Sequence, residues 1–366
     1  MRGCIFRGAQ FIALLTLFTM GISQGCKDLS TASDGSQTRL LGLEQKSCVR
    51  LQFEDPYLYV CTAAQGVWRR NINDMSEWEY LGLADTTLGN YSNVGAIDLD
   101  VKSGDILIAY NSAVRQADPR NSVGIWRMTN QGKNWIRSDS GIPQSISDPF
   151  EYNVINSVHR APQNPAVAFA VCGIAVYYSS NSGFNWQLVS GRRGLLVNQD
   201  HLRWHPYRPG EVWFFGETST FAPYLYAYKD YGMSVKIQVD LNALGWPSDG
   251  KMEDVAFDSG DPNVIYVASN RGIMVSRDGG YTWHMGQVTI PDGGSVVAIR
   301  ENERKPGTLF FGGGNRVYRT FDGGMTVNLL SELPVDWIST ICHDARFDRL
   351  FVGTDKGVFV INSVDP

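Results

Sequence analysis

Short runs of apolar and β-branched residues recur along the chain in pairs, each broken by a few polar or turn-forming positions, which is the pattern of antiparallel hairpins. The pairs fall at residues 58–61 with 66–69, 106–110 with 124–128, 167–171 with 175–178, 212–215 with 224–228, 264–268 with 272–277, 308–311 with 316–319 and 350–352 with 357–361. The fifth pair has a further run on each side, 252–258 before it and 282–285 after it. The repeating unit therefore reads as four antiparallel strands, present seven times, and the fold class as all-β.

The turn expected between the third and fourth strands carries the repeat. In the fifth unit it reads Ser276-Arg277-Asp278-Gly279-Gly280-Tyr281-Thr282-Trp283, which fits the pattern S/T-x-D-x-G-x-T-W at every defined position. Looser copies stand at residues 130–135, 179–186, 230–235 and 320–327, and another ends at Trp78. Counted between the closing Trp or Val residues, the period runs from 57 residues at the first interval to 44 at the last. That is the length of a propeller blade. In such a box the Asp or Asn accepts hydrogen bonds from N–H groups of its own turn, a Gly takes the positive-φ corner, and the Trp packs between sheets. The box is thus read as a folding device, not as a site.

The seventh unit lacks a fourth strand before the sequence ends at Pro366. The segment Arg39-Leu40-Leu41-Gly42-Leu43 echoes the outer strand of the first unit, Tyr80-Leu81-Gly82-Leu83, and is expected to fill the gap beside residues 357–361. Closing the ring with strands from both ends of the chain removes an open sheet edge. The expectation is a single domain over residues 38–366: a seven-bladed β-propeller of four-stranded antiparallel blades, closed by an N-terminal strand in the last blade.

Residues 1–25 are set apart, because Arg2 and Arg7 precede an apolar run at 11–22 that leads into small residues, the layout of an export signal. The run is shorter than the roughly 20 residues of a spanning helix. Ile22-Ser23-Gln24-Gly25-Cys26 resembles a bacterial lipobox, which implies a lipid on Cys26; simple secretion is the alternative. Residues 26–37 read as a polar tether. The expected product is an exported monomer, either an outer-membrane or periplasmic lipoprotein or a secreted protein, touching a membrane only through the lipid.

The boxes, the lead-in Asp261-Pro262-Asn263-Val264-Ile265-Tyr266 and the seven units resemble, over residues 38–366, the Asp-box propellers of the sortilin and xyloglucanase superfamily. That resemblance implies the fold and leaves the activity open, since the superfamily includes glycoside hydrolases, polysaccharide-active enzymes, peptide receptors and a photosystem II assembly factor. Sialidases share the box but resemble one another in an Arg-Ile-Pro motif that is absent here.

Composition narrows the partner. With 32 Lys+Arg against 37 Asp+Glu, the net charge is −5 and the pI about 5.6, opposite to the footprint of a nucleic-acid binder. Removing residues 1–25 takes away two arginines and no acid, leaving −7. A content of 43% hydrophobic and 19% charged residues excludes disorder, and 38 Gly with 10 Trp, 16 Tyr and 17 Phe suits many short strands.

In a propeller, the loops leading into the innermost strands and those joining second to third strands share one face, where a funnel is expected. Register places Asp200, His201, Arg203, Glu217, Glu253 and Asp254 there from the fourth and fifth blades, together with Tyr152, Asn156, Arg271 and Trp337. Carboxylates beside aromatic rings suit a sugar. Glu217, Glu253, Asp254 and Asp200 are candidates for the acid and base of a glycoside hydrolase. His201 with Arg203 would serve a polysaccharide lyase. The alternative is a non-enzymatic module that docks a protein or peptide, favoured if Arg115, Arg120, Arg203, Arg271 and Arg316 form a basic patch without paired carboxylates. No cofactor or metal is expected: His201 and His205 on one strand would lie about 13 Å apart. His159, His284 and His343 read as structural. Cys48 and Cys61 flank a hairpin turning at Glu54-Asp55-Pro56, which leaves a cross-strand disulfide or two buried thiols as alternatives.

Overall fold

The computed structural model describes residues 37–84, 95–111, 123–129, 134–143, 155–172, 175–190, 197–218, 223–241, 243–246, 250–288, 295–362 and 364. The predicted hairpins form, and each gains the two flanking strands. Strand β1 (Gln37–Gly42) comes first. Blade one is then β2 (Cys48–Glu54), β3 (Tyr57–Thr62), β4 (Gln65–Asn71) and β5 (Glu79–Ala84). Blade two is β6 (Gly95–Lys102), β7 (Asp105–Asn111), β8 (Val123–Thr129) and β9 (Asn134–Arg137), and blade three is β10 (Ile155–Arg160), β11 (Ala168–Cys172), β12 (Ala175–Ser179) and β13 (Gln187–Ser190). Blade four is β14 (Val197–Trp204), β15 (Val212–Thr218), β16 (Pro223–Lys229) and β17 (Ser234–Gln238). Blade five is β18 (Met252–Phe257), β19 (Ile265–Ser269), β20 (Gly272–Ser276) and β21 (His284–Val288). Blade six is β22 (Ala298–Glu301), β23 (Leu309–Gly313), β24 (Arg316–Thr320) and β25 (Asn328–Glu332). Blade seven takes β26 (Ile338–Asp344), β27 (Arg349–Thr354) and β28 (Gly357–Asn362) from the end of the chain and β1 from its beginning.

The seven sheets stand in a ring, with β2, β6, β10, β14, β18, β22 and β26 innermost and in contact in that order, β26 returning to β2. In the closing pair, Gln37 lies opposite Asn362 and Arg39 opposite Val360. The Leu-Gly echo has a steric cause. Gly42 and Gly82 have φ of +136° and +115°, and a Cβ on either would fall 2.5 and 2.9 Å from the indole nitrogens of Trp78 and Trp135. Each indole belongs to the following blade and donates to the carbonyl just before the glycine, Trp135 to Leu81 at 2.6 Å and Trp78 to Leu41 at 3.3 Å. Only glycine fits under that ring.

Among the described residues, the core is divided into seven apolar clusters, one for each pair of neighbouring blades. Between blades four and five, for instance, Trp213, Phe215 and Leu225 pack on Val255, Ile265 and Val267. Burying both faces of every sheet explains why the strands read as short continuous apolar runs.

The box turns link third to fourth strands as expected. In blade five the Ser276 hydroxyl donates to Asp278 at 2.9 Å, the N–H of Gly280 donates to Ser276 at 2.8 Å, and the N–H of Thr282 donates to Asp278 at 2.9 Å. The same three bonds recur at Thr320, Asp322, Gly324 and Thr326 in blade six, and at Ser179, Asn181, Gly183 and Asn185 in blade three. Of the copy at 130–135, residues 130–133 lie outside the described residues.

Cys48 and Cys61 are free and buried. The turn uses Asp55 and Pro56, so that Glu54 faces Tyr57 and the register brings Cys61 opposite Arg50 and Cys48, past a bulge, opposite Thr62. The two sulfurs therefore do not face each other, and the disulfide alternative falls.

Candidate functional site: the central channel

We name the ends of the channel by the innermost strands, which start at the upper face and finish at the lower face. At one matching register position each of those strands carries a buried aliphatic residue that packs between blades: Leu51, Leu99, Val158, Leu202, Val255, Ile299 and Ile341. Because side chains alternate along a strand, the residues on either side of that aliphatic share the opposite orientation. One position before it stand Arg50, Asp98, His201 and Asp254; one position after it stand Asp100, His159, Arg203 and Arg300. The fold thereby gathers charges from six blades around one axis.

They form two linked clusters. Asp98 lies 3.0 Å from Arg50 Nε, accepts from the Ser157 hydroxyl at 2.7 Å and the Val158 N–H at 3.1 Å, and meets His159 Nε2 at 3.1 Å. His159 also approaches Asp100 at 3.8 Å, while Asp100 is held by Arg160. Asp254 binds Arg203 at 3.0 Å and Arg300 through its other oxygen. Arg203 joins the two groups through His159 Nε2 at 3.4 Å.

Burial alone would raise all three carboxyls. His159 and Arg50 outweigh it at Asp98, His159 and Arg160 at Asp100, and Arg203 and Arg300 at Asp254, and each is held below the usual carboxylate range. Burial would lower His159, but Asp98 and Asp100 raise it. His201 faces the arginines instead: burial first, then Arg50 and Arg203, push it down to about 4, and its buried Nδ1 has no hydrogen-bond partner among the described residues. Near the lower end, burial pushes the Glu301 carboxyl up to about 7.

A cavity of about 350 Å³ reaches from Arg50, His159, Arg203 and Arg300 down to Lys102, Pro206 and Glu303, just beyond the lower ends of the inner strands. Within the network Arg50, His159, Arg203 and Arg300 are the exposed members, whereas Arg160 is buried. The side chains of Arg50, His159, Arg203 and Arg300 are 15, 17, 15 and 21% exposed, against 0% for Asp98 and 2% for Asp254. Asp98 and Asp254 stand behind the arginines, while Asp100, Glu301 and Glu303 share the lining with Arg50, Lys102, Arg160, Arg203 and Arg300, so cations outnumber carboxylates on the wall.

Of the residues singled out from sequence, His201, Arg203 and Asp254 come together here. Glu253 is half-buried at the bulge before Asp254, and Asn156 is half-buried at the corresponding bulge of β10. Asp200 and Glu217 lie on adjacent strands of blade four, opposite Gly216 and Gln199, with side chains outside the described ones. Arg271 is exposed in the turn between β19 and β20, and Trp337, 49% exposed, leads into β26, its N–H donating to Asp355 at 3.2 Å. Tyr152, Arg115, Arg120 and Cys26 lie outside the described residues. Arg316 pairs at 3.3 Å with Glu332 within blade six. Among the described residues the basic group is Arg50, Arg203 and Arg300, which includes Arg203 of the five arginines read from the loops. His159, assigned a structural role from sequence, is the hinge of the network, and His343 lines the cavity. Among the described residues no group of three His, Cys, Asp or Glu side chains is arranged to hold a metal.

No protein-family model matches the sequence, and no curated protein matches it either. Solved structures do. One similar structure is described as YCF48 bound to D1 peptide, with a TM-score of 0.61 at 15% identity over 91% of this chain and 98% of that one. YCF48 from Cyanidioschyzon merolae gives 0.59 at 15% identity over 89% and 98%, and the WD40 β-propeller domain of Doa1 gives 0.60 at 10% identity over 88% and 96%. At such identities the likeness establishes the fold: the chain is a seven-bladed β-propeller.

Proposed function

We propose that the protein is a docking propeller whose channel receives an acidic segment of a protein or peptide partner. The observation that carries this reading is the exposure pattern at Arg50, Arg203 and Arg300, which face the cavity while Asp98 and Asp254, which balance them, are buried behind. A carboxylate entering the cavity would meet charge-assisted donors at little cost in reorganisation, because Asp98 and Asp254 already fix the guanidinium groups. The peptide bound in one YCF48 structure supports the same reading. Kinship with Asp-box propellers belongs to the proposal, supported by the hydrogen bonds shared by three box turns. So does export, supported by the apolar run at 11–22 and by Cys26; Cys26→Ser would move the protein from the membrane to the soluble fraction.

Hydrolysis of a carbohydrate is the second reading. Glu301 favours it, since a carboxyl raised to about 7 suits a general acid. Against it, Asp98, Asp100 and Asp254 are locked as counter-ions and hold no proton to give near neutral pH.

Titration with hexaglutamate and hexalysine, beside a reducing-sugar screen of neutral and acidic polysaccharides, separates the two. Docking expects binding of hexaglutamate alone, weakening as salt rises and falling at least tenfold in Arg300→Gln. Sugar release that disappears in Glu301→Gln would contradict it.

A further inference from the structure

The box turns expose a row of apolar side chains, of which Phe184 carries the Arg127 guanidinium over its ring at 3.8 Å. The position after the conserved glycine of the box is Phe184 in blade three, Met233 in blade four, Tyr281 in blade five and Met325 in blade six, and these are 44, 69, 65 and 70% exposed. The turn's hydrogen bonds explain the orientation. Backbone and hydroxyl groups of the neighbouring residues point in to Asp278, Asp322 or Asn181, so the residue between them projects outward. A polar residue would serve the turn equally well, yet four consecutive blades carry an aromatic ring or a methionine.

These turns join third to fourth strands, which places them all at the lower face. The beginning of β1 is there too, because Gln37 pairs with Asn362, the residue at which β28 finishes. The 36 residues before Gln37 thus join the propeller at the face that bears the four side chains. They include the uncharged run at 11–22 and Cys26, and ten residues between Cys26 and Gln37 extend over at most about 33 Å. A chain held to a bilayer at Cys26 or at that run keeps the lower face within reach of lipid. Apolar side chains spaced singly in blades three to five, with Phe321 beside Met325 in blade six, and separated by polar box residues, suit insertion among lipid headgroups better than burial against a flat protein partner.

We propose that the lower rim of blades three to six rests on a lipid surface, with Phe184, Met233, Tyr281 and Met325 entering the headgroup region. The contact lies on one arc of the rim, so it is separate from the channel and does not depend on what the channel binds.

The test uses the full chain on phosphatidylcholine vesicles. A solvatochromic amino acid at position 281 or 325 is expected to shift to the blue and to be quenched by nitroxide-labelled lipid, while the same probe at 337, on the upper face, is not. In a Cys26→Ser background, changing all four residues to Ser is expected to lower vesicle partitioning at least tenfold with an unchanged thermal midpoint. Equal quenching at 281 and 337, protection at neither, or unaltered partitioning of the fourfold variant would overturn the proposal.

Discussion

Asp278 in a box turn and Asp254 in the channel are both held as carboxylates below the ordinary range, by different means. At Asp278 slight burial would raise the carboxyl, and the hydroxyl and N–H of Thr282 with the Ser276 hydroxyl outweigh it and bring it to about 2. Every partner lies within four positions in the chain. Asp254 accepts from the adjacent Val255 N–H at 3.0 Å, but its charged partners are Arg203, on the preceding blade, and Arg300, 46 positions away on the next. Asp98 likewise reaches Ser157 across 59 positions. The box carboxylate completes one turn. The channel carboxylates tie blades together and, in doing so, aim arginines at the axis. One residue type thus serves local folding at the rim and long-range assembly at the centre.

The largest effect is expected where ring closure itself is cut. Deleting residues 37–42 removes the outer strand of blade seven together with Leu41 from the cluster it shares with blade one. The thermal midpoint should fall by more than about 10 °C or cooperative unfolding should vanish; an unchanged midpoint would break the account of a ring closed from both ends.

Next comes the channel against the box. Asp254→Ala leaves Arg203 and Arg300 with a buried charge uncompensated and should cost about 3 kcal/mol in denaturant unfolding. Asp278→Ala should cost clearly less, and its main sign should be faster amide exchange confined to residues 276–284. Equal losses would mean that the channel network contributes nothing beyond a local turn.

The smallest effects concern pH. His201 is pushed down to about 4 from 6.5, so the folded state favours its neutral form, and the stability this gives is present above pH 6.5 and lost as pH falls toward 4. Glu301 is pushed up to about 7 from 4.5, so its contribution is present below pH 4.5 and lost as pH rises toward 7. The slopes oppose each other between pH 4.5 and 6.5. His201→Gln should make stability fall with rising pH across that window, and Glu301→Gln should make it rise; unaltered profiles in both variants would remove these groups from the channel's electrostatics.

The fold was legible because its information is local. Each apolar run and each box turn lies within a dozen residues, and the observed strands match the runs to within a residue or two at most positions. The site was only half legible. His201, Arg203 and Asp254 were found because they cluster in sequence on two successive blades, whereas Arg50, Asp98, His159 and Arg300 lie one to a strand, with partners about 50 residues away. The loops that promised a funnel also belong to the upper face, while the described cavity reaches the lower one. The missing signal was register. Aligning the inner strands on Leu51, Leu99, Val158, Leu202, Val255, Ile299 and Ile341 brings the charged positions into two tiers in the sequence itself.

The central claim is that the channel carboxylates are fixed counter-ions which turn arginines toward a ligand. The most direct measurement is the carboxyl carbon-13 shift of Asp254, followed by NMR in the folded protein from pH 8 to pH 3. The account predicts a flat profile over that range, with the shift of an ionised carboxylate throughout. A titration step between pH 4 and 7, where a general acid would have to work, would contradict it.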